Sequence, residues 1–113
     1  MNTDELLLEI KNIAPTSDNT LNVTRTRVYA ALNRQLNKDY SSEQRQITMP
    51  PDVIEQVKKQ FNEGCALITQ AIEEASYGGG YHGVDDIEDR VIEDIVKLFN
   101  DVVTEEAGVS RRP

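Results

Sequence analysis

One stretch constrains the fold of this chain more than any other. From Ile54 onward, Val57, Phe61, Gly64 with Cys65, Ile68, Ile72 and Ala75 recur in steps of three and four. Six steps cover the 21 residues from Ile54 to Ala75, a mean of 3.5. That is the period at which helices wrap round one another. Pro50-Pro51 supplies the start, because proline is at home in the first turn of a helix. Residues 51–76 therefore read as one helix, about 39 Å long at ~1.5 Å per residue. Gly64 costs about 1 kcal/mol in a helix interior. Either it admits a close neighbour, or Asn62-Glu63-Gly64 divides the segment; the continuous helix is the preferred reading.

Three other segments carry the same periodicity. Leu6, Leu7, Ile10 and Ile13 mark a helix from about Asn2 to Ala14. Asn2 and Glu5 stand at capping-box spacing, and Pro15 drives Ala14 out of helical geometry. Pro15 to Thr20 has turn composition. Leu21, Val28, Leu32 and Leu36 mark a second helix, from about Leu21 to Lys38, with Tyr29 and Ala31 flanking. Residues 39–49 are polar and read as a loop holding a helical turn after Ser41 or one short strand. Gly78-Gly79-Gly80 ends the long helix, and Gly83 marks the next boundary. A fourth helix spans about Val84 to Glu106. Val84, Ile87, Val91, Ile95, Leu98 and Val102 form its stripe, widened by Ile92, Phe99 and Val103. A stripe this wide meets more than one neighbour. Asp85, Asp86 and Glu88 sit in its first turns, where the helix dipole favours negative charge.

The expected fold is all-α: a small bundle of about four helices with a long antiparallel C-terminal hairpin. Residues 1–108 form one domain and 109–113 a frayed tail. The seam is closed either by the first two helices or by a second copy of the hairpin, and a homodimer is the expectation. The chain carries no run approaching the ~18 apolar residues of a membrane helix. Its start, Met1-Asn2-Thr3-Asp4-Glu5, is acidic where a secretory signal is basic. A single cysteine suits a reducing compartment, so the expected location is cytoplasmic.

The net charge is −8, with 12 Lys and Arg against 20 Asp and Glu. The charge is polarised. Residues 20–45 hold five bases and two acids, whereas residues 77–106 hold two bases and nine acids. Attraction between these segments within the fold is the simplest use of that pattern. Asp86 with Arg90 and Glu93 with Lys97 are i,i+4 pairs in the favourable order.

Catalytic signatures are scarce. His82 is the single histidine and Cys65 the single cysteine, too few for a Cys/His zinc site. No Gly-x-Ser-x-Gly motif and no phosphate-binding P-loop occurs, and no cofactor is expected. Cys65 lies on the seam, where a thiol is structural.

Three readings of function follow. In the first, the chain works by protein–protein contact, without catalysis. Tyr77, Tyr81 and His82 place amphipathic rings in a glycine-rich loop, and such rings anchor interfaces. Asp86, Asp89 and Glu93 on the acidic helix would meet a basic surface, at the extreme imitating nucleic-acid phosphates as an inhibitor does.

In the second reading, Val23-Thr24-Arg25-Thr26-Arg27-Val28-Tyr29-Ala30-Ala31-Leu32-Asn33-Arg34 resembles the recognition helix of helix-turn-helix repressors. The resemblance covers about twelve residues. It implies a small DNA-binding regulator in which Arg25, Arg27 and Arg34 reach bases and phosphates while Val28 and Leu32 hold the helix to its domain. The chain departs from that family in the gap from Pro15 to Asn22, about twice the usual three- to four-residue turn.

In the third, Glu73-Glu74 and Asp86-x-x-Asp89 are similar in part to the paired acidic helices of all-α nucleotide pyrophosphohydrolases of the MazG type. Tyr77 stands where the third Glu of that pattern belongs, so the pattern is broken and membership is not assigned. The similarity implies Mg²⁺ or Mn²⁺ held at the hairpin tip by these acids, with Asp85, Glu88 and His82 nearby.

Overall fold

Side-chain hydrogen bonds set where the first three helices begin. A computed structural model describes residues 1–75 and 83–106. The helices are α1 (Thr3–Lys11), α2 (Asn19–Asp39), α3 (Ser42–Arg45), α4 (Pro51–Glu74) and α5 (Val84–Glu106). No strand occurs among the described residues. Asn2 caps α1 in the reciprocal box that its spacing from Glu5 predicts. Glu5 N donates to Asn2 Oδ1 at 2.9 Å, and Asn2 N to Glu5 Oε1 at 2.8 Å. The helix ends at Lys11, three residues before the expected Ala14. Asn12 (φ −93°, ψ 13°) leaves helical geometry, and its N–H closes on Leu8 O, so the exit lies well upstream of the reach of Pro15.

Asp18 starts α2 two residues earlier than the apolar pattern alone predicts, its carboxylate accepting from Leu21 N at 3.1 Å. The turn before it is ordered: Thr16 N donates to Asn22 Oδ1, and Asn22 Nδ2 returns to Thr16 O, both at 2.8 Å. Between Asp39 and Pro50, the helical turn is formed and not the strand. Ser41 and Gln44 close a second capping box around α3. Gly83 precedes α5 with φ at +119°, a conformation that a side chain would strain. The tail, with Gly108, lies outside the described residues, as does the loop with its triple glycine.

Four helices alternate in direction. Glu88 lies beside Arg27 and Asn100 beside Tyr40, so α2 and α5 run parallel. The helix between them, α4, packs against both. Met49 N donates to Met1 O at 2.7 Å at one end of α1, and Arg25 Nη1 donates to Ala14 O at 3.2 Å beyond the other. The short α1 is thus antiparallel to α2 and joined to the rest by Arg45–Asp4 and Lys58–Glu9 ion pairs. The result is an up-down-up-down bundle.

The core draws Leu6, Leu7 and Ile10 from α1, Val28, Leu32 and Leu36 from α2, Val57, Phe61, Cys65 and Ile68 from α4, and Ile95 and Phe99 from α5. The seam of α4 is therefore covered within the chain, mainly by α2 and α5. Two faces are rotated from their expected positions. On α4 the last buried position is Thr69, while Ile72 is half-buried. A straight helix drifts by ~20° per heptad against a 3.5 repeat, and Thr69 takes up that drift. Its hydroxyl donates to Cys65 O at 2.7 Å, which lets it be buried. On α5, Val96, Phe99 and Val103 are buried, whereas Ile87, Val91 and Leu98 are only half-buried. Contact with α2 as well as α4 pulls the buried arc toward α2.

The helix α4 runs unbroken through Gly64, and the reason is a neighbour. A Cβ at Gly64 would stand 2.4 Å from Val91 Cγ1. Valine is stiff about χ1, so it cannot swing away freely. Gly64→Ala is expected to lower unfolding stability by about 1–2 kcal/mol, overpacking outweighing the propensity gain. In a Val91→Ala background the same substitution is expected to cost clearly less, because of the Val91 atoms only the Cβ, at 3.3 Å, still crowds it. Urea unfolding of the four proteins measures this coupling.

Candidate functional site

Charge, more than any cavity, distinguishes the surface. Along α5 the carboxylates of Asp85, Asp86, Asp89, Glu93, Asp94, Asp101 and Glu105 are all exposed. Their positions follow from the buried arc: with Val84, Ile95 and Phe99 turned inward, these residues share the outer half of the helix. Within Asp85–Asp94 five exposed carboxylates accompany one exposed base, Arg90. The favourable i,i+4 pairs expected here do not close. Among the described residues, neither Asp86 with Arg90 nor Glu93 with Lys97 forms an ion pair. Exposed side chains of this length gain little by pairing and remain solvated.

The acidic helix and the basic helix do attract, through one arginine. Arg27 Nε stands 2.8 Å from Glu88 Oε2, and Nη2 stands 3.6 Å from Asp85 Oδ1. Glu88 is nearly buried, with 13% side-chain exposure, while Arg27 is 55% exposed. The contact is Coulombic, since Glu88 Oε2 is buried and accepts no hydrogen bond in this geometry. In sequence Glu88 is an acid among acids, which hides its role as an inter-helix contact. Its place one turn after Val84 and one turn before Ile92, on the apolar flank, is the signal that marks it.

The three arginines of the helix-turn-helix-like stretch do not form one face. Arg27 is held by Glu88 and Asp85. Arg25 is half-buried and turned back to Ala14 O on the α1 side. Arg34 is exposed and lines an open groove of about 940 Å³ between α2 and α5. In that groove Glu88, Asp89 and Glu93 line one end, Lys38, Lys97 and Asn100 the other. Val28 and Leu32 are buried, as that resemblance implies, and Thr24 is buried beside them.

The acids expected to converge at the hairpin tip stay apart. Glu73 and Glu74 are exposed, Asp86 and Asp89 face solvent, and Glu88 is turned to α2. Among the described residues no three His, Cys, Asp or Glu side chains form a group able to hold a metal ion. The register explains this: Glu73 and Glu74 lie nine and ten residues past Gly64 on α4, whereas Asp86 and Asp89 lie only five and two residues before its neighbour Val91 on α5. Tyr77, Tyr81 and His82 lie outside the described residues. No described helix is long and apolar enough to cross a membrane.

Two buried groups resist ionisation. Burial pushes the Cys65 thiol up from 9.0 to about 12, the nearby Arg25 lowering it and Glu88 raising it. Burial likewise pushes the Tyr40 phenol from 10.0 to about 12, helped by the charges of Asp39 and Asp101. The Tyr40 hydroxyl donates to Asn100 Oδ1, joining the end of α2 to α5. At neutral pH Cys65 is therefore a buried thiol and not a nucleophile.

No protein-family model matches the chain, and neither does a curated protein or a solved structure.

Arg27→Met should destabilise the fold more than the double substitution Arg27→Met with Glu88→Met. The single change leaves a nearly buried carboxylate unpaired, and the double removes both charges. Urea midpoints of the two variants decide the order. The raised Tyr40 and Cys65 values predict alkaline sensitivity. Below about pH 9 both groups are neutral in the folded and unfolded chain, and their contribution is fully present. Between about pH 9 and 12 the unfolded state ionises first, so stability falls as pH rises. Unfolding at pH 7, 9 and 10.5 is expected to show a smaller decline in the Tyr40→Phe/Cys65→Ala double variant.

Proposed function

We propose that the protein acts by protein–protein contact, without catalysis, through the acidic outer face of α5. The observation that carries this reading is the run of five exposed carboxylates within Asp85–Asp94. Ten helical residues span ~15 Å. Five charges over that length come to about one per 3 Å, close to the ~3.4 Å per phosphate of a single DNA strand. The partner is a protein with a basic surface of the kind that meets nucleic-acid backbones, and occupation of that surface would inhibit it. Electrostatic contact of this type speeds encounter and sets specificity.

Local energetics support a use for the acids beyond folding. Glu73 and Glu74 end α4, and Glu105 lies in the last turn of α5, where the helix dipole disfavours negative charge. Neither helix has a basic residue in its last turn. Helix stability alone would select the opposite residues there. Within this proposal Tyr77, Tyr81 and His82 are contact residues in the adjoining loop, and any pairing of two copies uses surfaces other than the covered seam of α4.

The test compares the wild-type chain with an Asp86→Asn/Asp89→Asn/Glu93→Gln variant of equal helicity by circular dichroism. Immobilised wild-type chain is expected to retain a basic protein from lysate at ~50 mM salt. Retention should fall steeply by ~300 mM salt, and duplex DNA should compete for the captured partner. The triple variant should lose the capture. Capture that survives both the triple variant and ~300 mM salt would refute the acidic-face reading.

A further inference from the structure

A second feature lies on the opposite flank of α2. Between the end of α1, the connection that follows it and α2 is a pocket of about 410 Å³. Small-molecule sites usually measure ~300–1,000 Å³. Ile10, Ile13, Pro15 and Tyr29 supply an apolar wall, and Lys11 and Arg25 supply two cations. In a chain with 20 acids, neither cation has an acidic partner among the described residues.

Arg25 is the group most in need of an acceptor. A guanidinium carries five N–H donors. Here one hydrogen bond is made, from Nη1 to Ala14 O at 3.2 Å, and Nε is buried with no partner. A half-buried cation satisfied by one neutral carbonyl is costly unless an anion completes it. Two neutral polar side chains of the pocket, Asn22 and Thr26, are already engaged. Asn22 is bonded to Thr16 through both its amide atoms, and Thr26 Oγ1 donates to Asn22 O at 3.1 Å. The unmet bonding capacity of the pocket therefore lies with its two cations and the Tyr29 hydroxyl, and the rest of its wall is largely apolar.

We propose that this pocket binds a small amphipathic monoanion: a carboxylate on a short apolar body. The carboxylate meets Arg25 and Lys11, and the body lies against Ile10, Ile13 and Tyr29. Such a ligand ties the exit of α1 to α2, which are otherwise joined there by the Arg25–Ala14 and Thr16–Asn22 hydrogen bonds and the side-chain contacts of the core. The site is independent of the acidic face of α5, so either proposal can fail alone.

Octanoate is the probe, titrated into the full chain and followed by amide chemical shifts and thermal unfolding. Saturable 1:1 binding is expected, with shifts confined to residues 10–15 and 22–30 and a raised Tm. Octanol, which lacks the charge, and acetate, which lacks the body, should bind about tenfold more weakly or worse. Arg25→Gln should abolish the response. Because Arg25 also holds Ala14, Lys11→Gln provides the check on an exposed side chain, with a severalfold loss of affinity and an unchanged fold. The proposal is overturned by any of three results: no response to octanoate, octanol binding as tightly as octanoate, or Lys11→Gln binding like the wild type.

Discussion

The seat of Val91 in the notch at Gly64 governs the rest of the molecule. A side chain at residue 64 would collide with Val91, so the absence of one sets how closely α4 and α5 approach. It also sets how α5 is rotated. With Val91 directed at α4, Glu88, Ile92 and Val96 on the neighbouring flank line the groove against α2. Glu88 thereby meets Arg27, and Phe99 reaches the centre of the core. The remaining half of α5, with seven exposed carboxylates, has nowhere to face but solvent. One missing side chain on α4 therefore fixes both the interior of the bundle and its most charged surface.

Arg27 and Arg25 divide the work of α2. They are two residues apart, about 200° round the helix, so they address different neighbours. Arg27 meets a carboxylate on α5, and Arg25 meets a carbonyl beyond α1. Between them Thr24 and Val28 face the core. A pattern that reads in one dimension as a basic stretch is thus two separate tethers on opposite flanks. The physical consequence is that of the four cations of α2 Arg27 is paired with acids and Arg25 is held by a carbonyl, with Arg34 and Lys38 exposed, next to a helix that leaves most of its carboxylates unpaired. That asymmetry is stronger than the net charge of −8 conveys.

Much of the fold was legible in the sequence where a single residue acts on its own neighbourhood. Asn2 and Glu5 specify their capping box without help from the rest of the chain, and Val84–Glu106 is bounded by glycine before and by the end of its apolar stripe after. Gly64 was legible as a choice between a break and a close approach. What was not legible depends on two elements at once. The wide stripe of α5 offers several buried arcs of similar apolarity, and only the joint fit to α4 and α2 selects the one containing Val96 and Phe99. Thr69 replaces Ile72 on the buried side of α4 because its hydroxyl finds Cys65 O, a bond that hydropathy cannot register. The turn of Arg25 toward Ala14 depends on the path of residues 12–18, which has no periodicity to read.

The candidate acidic surface was legible in part, and the reason is again geometric. Asp86, Asp89 and Glu93 repeat at helical spacing, so their shared outward face follows from the period alone. Glu88 has the same chemistry and lies within one turn of two of them, yet it points the other way. The register set at Gly64 and Val91 offsets the acids of α4 from those of α5, and the rotation of each helix turns them apart, so among the described residues they form no cluster. Convergence needs the rotation of both helices as well as their register. In this bundle the Gly64–Val91 contact spends that rotation on packing, which leaves the carboxylates of α5 spread along a surface instead of gathered into a site.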